Sequence, residues 1–199
     1  MDENPFSILK SNCDILFVYD YKTPDFGEFD FSKYEDIKLL AFSYGVYASS
    51  IAQLPKDLVL SSAVAVSGTL IPVDDVYGVP FRQFELTEKM NSETIVKFRE
   101  RLFGGKKGKA HFEIFENNLP NRSATSCTEE LIGMKKYVPL IPANKCIFSK
   151  VIVTTHDRCI PSKNQMNFWK KINFSNIIEF EAGHFPFYNY RTFEEFFDD

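Results

Sequence analysis

Short, nearly continuous apolar runs recur along this chain, and they constrain its fold more than any other feature. They are rich in β-branched and aromatic residues, which is the pattern of strands that are buried on both faces of a sheet. The runs predict strands at residues 13–19, 37–42, 62–66 and 151–155, with a weaker one at 177–180.

Helical patterns separate these runs. Residues 44–54 carry an apolar stripe at helical spacing, which Pro55 ends. Pro161 is typical of a first helical turn and predicts a helix that runs to about residue 171, and residues 191–197 predict a terminal helix. Strands that alternate with helices in this way predict an α/β fold, with a mainly parallel sheet and flanking helices.

The segment 84–140 interrupts the alternation. It is helical in character, with residues 90–102 amphipathic, and it contains the basic loop GGKKGK at 104–109. Because long insertions tend to be functional, we expect a helical lid over the site, with a larger crossover connection as the alternative. At 199 residues the chain is expected to form a single domain, 1–199, that includes this insertion.

Charge and cysteine pattern narrow the functions. A formal net charge of -4 disfavours binding to nucleic acid, which needs concentrated positive charge. The four cysteines include no C-x-x-C pair, so we expect no metal and no cofactor. No apolar stretch reaches the about 18 residues that cross a bilayer, and the start MDENPFSILK is unlike a signal peptide. We therefore expect a cytoplasmic protein that does not bind membranes.

Ser43 occupies the position of a nucleophile in such a fold. It follows a predicted strand and precedes a predicted helix, in the sequence AFSYG at 41–45. This is the nucleophile-elbow pattern, with Ala in place of the usual first Gly. Ser and Gly are also common at ordinary helix starts, so the motif requires support from elsewhere in the chain.

Two other residues supply that support. Asp157 follows the predicted strand at 151–155, and His184 follows the one at 177–180. Alone, each is as well explained by a turn cap or a loop histidine. Together with Ser43 they lie at the C-terminal ends of strands, in the order Ser, Asp, His of α/β-hydrolases. We predict a triad in which imidazole takes the serine proton and the carboxylate orients the imidazole.

The remaining candidates have suitable chemistry in a less suitable context. Ser67 leads into a loop rather than a helix, and Cys159 lacks a context that stabilises a thiolate. Asp74 and Asp75 are the next candidates for the acid, but an ordinary role as loop carboxylates is favoured for both. The alternatives are Ser67 and Cys159 as nucleophiles, His111 and His156 as bases, and Asp74 and Asp75 as acids.

With these residues in place, the sequence resembles the BioG family of pimeloyl-ACP methyl ester esterases. The similarity extends across most of the chain. The segment SGTLIPVDDVYGVP is its most distinctive part, because general α/β-hydrolases do not share it. The matching segments are FVYDY at 17–21, LLAFSYGVY at 39–47, AVAVSGTLIPVDDVYGVP at 63–80, THDRCIPSKNQMNFW at 155–169 and EAGHFPF at 181–187.

The resemblance implies a serine carboxylesterase of biotin biosynthesis. Its substrate would be the methyl ester of a pimeloyl chain on acyl carrier protein, and its products methanol and the pimeloyl carrier. Family members begin with a strand that ends in a Gly-Trp-like turn, which by analogy supplies one oxyanion-hole N–H, and nothing before CDILFVY matches it. Met1 is accordingly expected to be an internal start, and the Tyr44 N–H is the oxyanion donor that can be identified.

Basic residues of the insertion fit the partner that this resemblance implies. Acyl carrier proteins are strongly acidic in such families, and complementary potentials would steer their docking. Nearby glutamates dilute the positive charge, so a solvated helix face followed by a flexible loop is a nearly equal alternative. The candidate contacts are Lys97, Arg99, Arg101, Lys106, Lys107 and Lys109.

Two other functions remain compatible with the sequence. One is a broad-specificity carboxylesterase or thioesterase that uses the same triad. The other is a non-catalytic binding protein with the hydrolase fold. Short acyl esters separate the first from a carrier-linked substrate, and a fluorophosphonate probe tests the second.

Overall fold

Parallel strands in chain order form the centre of the molecule. The computed structural model describes residues 1–55, 58–105, 108–143 and 145–198. In this part of the chain the sheet has four strands in the order β1-β2-β3-β4. They are β1 (Lys38–Phe42), β2 (Ser62–Val66), β3 (Lys150–Thr154) and β4 (Ile177–Phe180).

The register of the sheet aligns the carboxyl ends of its strands. Phe42 at the end of β1 lies beside Val66 at the end of β2. Thr154 at the end of β3 lies beside Phe180 at the end of β4. Loops that follow β1, β3 and β4 therefore begin at the same edge of the sheet, where open α/β sheets place their sites.

Helices connect the strands. In the described part of the chain, one α-helix follows β1 and one follows β3, whereas four lie between β2 and β3. None of the helices in the described residues is long and apolar enough to cross a membrane. In chain order they are α1 (Tyr44–Ile51), α2 (Phe81–Glu88), α3 (Ile95–Arg101), α4 (Lys109–Glu116), α5 (Ala124–Tyr137) and α6 (Ser162–Lys171), with short 3-10 helices at Asn4–Phe6, Phe187–Asn189 and Glu194–Phe196.

Both faces of the sheet are buried, which explains why its strands are continuously apolar. Side chains alternate along a strand, so Val64 and Val66 of β2 pack in a phenylalanine-rich cluster with Phe185. Ala63 and Ala65, between and beside them, pack on the other face. There the small alanines lie in a cluster with Val46 of α1 and Trp169 of α6.

The strand predicted at 13–19 does not form. Residues of this run are exposed, with Leu16 at 58% and Tyr19 at 42%. A strand needs a partner for its backbone N–H and C=O groups. No such pairing of this run with β1, which is at the edge of the sheet, occurs among the described residues. Local apolar character alone was therefore a misleading signal.

Two predicted helices are shorter than expected. The terminal helix at 191–197 is reduced to one 3-10 turn, because Lys10 bridges Thr192 and its carbonyl accepts from the Phe193 N–H. The amphipathic segment at 90–102 becomes helical only at Ile95. Before it, the Asn91 side chain accepts from backbone N–H groups and holds a turn.

Candidate active site

Ser43 stands at a strained turn between β1 and α1. Its φ of 57° and ψ of -124° lie in a region that serine rarely occupies. The turn is fixed on both sides, since the Ser43 N–H donates to the Val66 carbonyl at 2.9 Å and the Ser43 carbonyl accepts from the Val46 N–H at 3.1 Å. Such strain is typical of functional turns and is the geometry of a nucleophile elbow.

Close backbone approach at the elbow requires small residues. A Cβ atom on Gly68, in the loop after β2, would lie 2.4 Å from the Ser43 carbonyl oxygen and 2.6 Å from Val46 Cγ2. A Cβ on Gly45 would lie 3.0 Å from the Tyr21 hydroxyl oxygen. Glycine at these two positions lets the start of α1 sit tightly against its neighbours.

Ser43, His184 and Asp157 form one chain of hydrogen bonds. The distance from Ser43 Oγ to His184 Nε2 is 2.9 Å, and that from His184 Nδ1 to Asp157 Oδ2 is 2.7 Å. His184 and Asp157 are buried, with 3% and 8% of their surface exposed, whereas Ser43 is partly exposed. An imidazole that donates from Nδ1 to the carboxylate presents the lone pair of Nε2 to the serine hydroxyl.

Donors surround the Asp157 carboxylate. Its Oδ1 accepts from the backbone N–H groups of Cys159 at 2.7 Å and Ile160 at 2.8 Å. Its Oδ2 accepts from Gln165 Nε2 at 2.8 Å as well as facing His184. An arrangement of donors alone suits an ionised carboxylate, which is purely an acceptor. Gln165 was not among the residues predicted from the sequence, and its only signal is a polar residue on the buried face of α6.

The loop that carries His184 packs against the end of α3. The Phe185 N–H donates to the Leu102 carbonyl at 2.9 Å. A Cβ on Gly183 would lie 2.4 Å from the Phe103 carbonyl carbon, so only glycine allows this approach. This part of the insertion thus supports the histidine loop. A lid role for the insertion as a whole stays a prediction.

An apolar groove of about 1020 Å³ leads to Ser43 and His184. It continues along β1 towards the exposed run at 13–19. Near the serine its walls are mainly apolar, and they include Phe42, Phe98, Leu102, Phe115, Ile160 and Phe187. A groove of this kind suits an acyl chain better than a polar substrate.

A family model matches nearly the whole chain. The model described as "Pimeloyl-ACP methyl esterase BioG" matches residues 3–196. The chain belongs to the BioG family.

One relative of this BioG chain is a much longer protein. It is a "Malonyl-[acyl-carrier protein] O-methyltransferase" of Bacteroides fragilis (strain 638R), 36% identical over 173 residues, which are 86% of this chain and 35% of that protein. The chain thus spans about a third of the length of this relative.

Solved structures agree with the sheet and helices described above. A crystal structure of BioG from Haemophilus influenzae is 26% identical, with a TM-score of 0.76, and the match covers 90% of this chain and 81% of that one. An esterase from Exiguobacterium antarcticum, 19% identical with a TM-score of 0.56, covers 77% and 62% and shares the fold. The predicted α/β-hydrolase-like fold is confirmed.

In this BioG chain the rival nucleophiles are inaccessible. Ser67 is fully buried, and its hydroxyl lies 3.0 Å from the hydroxyl of Thr154. Burial, reinforced by the Asp157 charge, raises the pKa of the Cys159 thiol far above its usual range, so the thiol stays neutral.

Ligand atoms of Cys159, Asp157 and His184 lie within 4.8 Å of one another, a set that could hold a metal ion by distance alone. The hydrogen bonds of His184 already use both of its ring nitrogens.

The rival bases and acids serve other contacts. His156 Nε2 lies 3.4 Å from Glu181, and the His111 ring packs edge-on against Tyr188. Asp74 Oδ1 accepts from two backbone N–H groups of its own loop, while Asp75 Oδ1 accepts from the Phe81 N–H. The contacts of Asp74 and Asp75 are those of carboxylates that cap a loop.

The basic residues predicted to contact a carrier protein make different contacts where the structure describes them. Lys97 is exposed and Arg99 lines the groove. Arg101 donates to the Arg158 carbonyl at 2.8 Å, and Lys109 pairs with Glu113 at 3.7 Å. Lys106 and Lys107 lie outside the described residues.

Tyr44, the predicted oxyanion donor, begins α1 directly after Ser43. The first N–H groups of a helix have no acceptor within it, and the helix dipole favours negative charge at this end. Its role in binding an oxyanion stays a prediction.

Proposed function

We propose that this chain is a serine carboxylesterase that hydrolyses the methyl ester of pimeloyl-[acyl-carrier protein]. The observation that carries the proposal is the hydrogen-bonded chain Ser43–His184–Asp157, which opens into an apolar groove in a member of the BioG family. The family supplies the substrate class, and the side-chain geometry supplies the reaction type.

The proposed reaction proceeds in two acyl-transfer steps. Ser43 Oγ attacks the ester carbonyl carbon while His184 Nε2 takes the hydroxyl proton. When the C–O bond to the methoxy group breaks, the imidazolium returns that proton and methanol leaves. Water then attacks the acyl-enzyme by the same route, releasing the free carboxylate of the pimeloyl carrier and restoring Ser43.

Two residues are placed to stabilise the charges that develop in these steps, which are the positive imidazolium and the negative oxyanion. Asp157, held by four donors, stabilises the imidazolium and fixes its orientation. The Tyr44 N–H is the proposed donor to the oxyanion, and each such donor typically contributes about 10²- to 10³-fold in rate.

The arrangement favours hydrolysis over methyl transfer. The methyltransferase name belongs to a relative of which this chain spans 35%. Transfer of a methyl group to a carboxylate has no use for a serine hydroxyl activated by a histidine, whereas acyl transfer depends on one. Ester hydrolysis is thus the reaction that the three side chains support.

A direct assay tests the proposed substrate. The purified protein is incubated with pimeloyl-carrier methyl ester, with free monomethyl pimelate, and with the unmethylated pimeloyl-carrier thioester. We expect methanol from the first at the highest kcat/KM, and little release of free carrier from the third. Equal kcat/KM on both methyl esters would favour a broad-specificity carboxylesterase, and rapid cleavage of the thioester would favour a thioesterase.

The proposed partner, acyl carrier protein, leads to a prediction about charge. Reversing Lys106 and Lys107 together to glutamate is expected to raise KM for the carrier-linked ester by about tenfold, since complementary charge speeds and orients docking. The effect should shrink at high salt, which screens exposed charges. Hydrolysis of free monomethyl pimelate should not change.

The matched control reverses two exposed lysines of α6, Lys163 and Lys170, which gives the same change in net charge. That variant should keep the KM of the wild-type protein. An equal rise of KM in both variants would show a general charge effect, and an unchanged KM in the Lys106/Lys107 variant would remove this loop from the proposed interface.

A further inference from the structure

Gln165 forms a hydrogen bond with Asp157, the proposed acid. It lies in α6, eight residues after Asp157, and it is completely buried. Its Nε2 donates to Asp157 Oδ2 at 2.8 Å and to the Ile160 carbonyl at 2.7 Å. Both hydrogens of one amide nitrogen thereby hold the carboxylate and the turn that carries it.

The surrounding acceptors allow only a donor at this position. If the amide were reversed, its oxygen would face the Asp157 carboxylate and the Ile160 carbonyl, bringing three acceptors together. In the observed orientation, Oε1 is buried and has no hydrogen-bond partner within the described part of the chain. An unsatisfied buried acceptor lowers stability, so an apolar side chain would serve packing better. The contact with Asp157 is what distinguishes glutamine here.

We infer that Gln165 is a positioning residue, which fixes Asp157 Oδ2 where it accepts from His184 Nδ1 and so aims His184 Nε2 at Ser43. This inference rests on the proposed function, because positioning matters only if the three residues act as a triad. It adds a fourth side chain, from α6, to the hydrogen-bonded chain.

A neutral donor suits this task better than a cation. Lysine or arginine at this point would also hold the carboxylate, but its charge would compete with the imidazolium for Asp157. Among the described residues, the titratable groups that interact with this part of the site include Cys159, which stays a neutral thiol, and Arg101 and Tyr44, which interact electrostatically with Cys159. Gln165 thus leaves the negative charge of Asp157 available to His184.

The test replaces the amide with an isosteric acid, Gln165→Glu, and uses Asn164→Asp as the matched control. Asn164 is the neighbouring buried amide of α6, and its Nδ2 donates to the carbonyls of Asp75 and Gly78 instead. Both variants exchange a buried amide for a carboxyl, so we expect similar effects on folding. Only Gln165→Glu places the carboxyl against Asp157.

We expect ester hydrolysis by Gln165→Glu to follow a bell-shaped pH profile. At low pH the introduced carboxyl is protonated and can still donate to Asp157. When the introduced carboxyl ionises, the Asp157 carboxylate repels it and the hydrogen bond between them is lost. The value of kcat should then fall by about tenfold to a hundredfold, the factor expected for one hydrogen bond to a charged group. KM should change little. The Asn164→Asp variant should keep the pH profile of the wild-type protein, including its behaviour at high pH.

An NMR titration of the His184 ring separates failure of this inference from failure of the proposed function. Ionisation of the introduced carboxyl adds negative charge beside the Asp157–His184 pair, so the pKa of His184 should rise by about one pH unit or more in Gln165→Glu and stay near the wild-type value in Asn164→Asp. If the wild-type protein hydrolyses no ester, the proposed function fails, and this titration still decides whether Gln165 acts on the pair. Equal shifts in both variants, or a shift in neither, would overturn the positioning role.

Discussion

Replacing Ser43 with alanine is expected to lower kcat for ester hydrolysis by about 10⁴- to 10⁶-fold, as loss of an activated nucleophile does in other serine hydrolases. The hydroxyl is the group that would form the acyl-enzyme, and His184 Nε2 lies 2.9 Å from it. The substitution removes one hydrogen bond and little packing, since Ser43 is only partly buried. The measurement is kcat for methanol release from pimeloyl-carrier methyl ester, with the melting temperature as a check on folding.

Ser67→Ala is the matched control for this prediction. Ser67 also follows a strand with a positive φ, but it is fully buried against Thr154. Its loss should leave kcat within about threefold of wild type, because its hydroxyl contacts Thr154 rather than a residue of the proposed triad. A fluorophosphonate probe should label the wild-type and Ser67→Ala proteins on the peptide that contains Ser43. Turnover at the wild-type rate in pure Ser43→Ala protein would refute the assignment of the nucleophile.

Much of the fold was predictable because its strands are buried on both faces. The run at 62–66 became β2 without a change of boundary, since its alternating valines and alanines fill two different clusters. The run at 13–19 is also mainly apolar and yet forms no strand. Pairing between distant segments decided the difference, and local composition carries no information about it.

The same limit applies to the site. The convergence of Ser43, Asp157 and His184 could be predicted because each lies in the turn or loop that follows a strand, and parallel strands align their carboxyl ends. Gln165 lies within a helix and reaches Asp157 through the way α6 packs on the sheet. That contact depends on tertiary packing, so spacing along the sequence could not predict it.

Asp157→Asn is expected to lower kcat by about 10⁴-fold, the effect that this substitution has in a serine protease triad. All the hydrogen-bond partners of this carboxylate are donors, with the Cys159 and Ile160 N–H groups on Oδ1 and the Gln165 amide and His184 on Oδ2. An asparagine must therefore set its own NH₂ against one of these two pairs.

Either orientation of the asparagine impairs the protein. If its NH₂ faces His184, the ring must carry its proton on Nε2, which then points at Ser43 and cannot accept the serine proton. If its NH₂ faces the backbone N–H groups, unsatisfied donors in the interior cost about 1–3 kcal/mol of stability. We expect both a large loss of kcat and a lower melting temperature.

Asp75→Asn provides the control, because Asp75 lies in the loop after β2 and was the alternative acid by sequence. Its carboxylate accepts from the Phe81 N–H, a bond that an asparagine oxygen can also accept. This variant should keep wild-type kcat and melting temperature. If Asp75→Asn lost as much activity as Asp157→Asn, the acid would have to be shared with or moved to the loop after β2, and the 2.7 Å contact between His184 and Asp157 would be structural rather than catalytic.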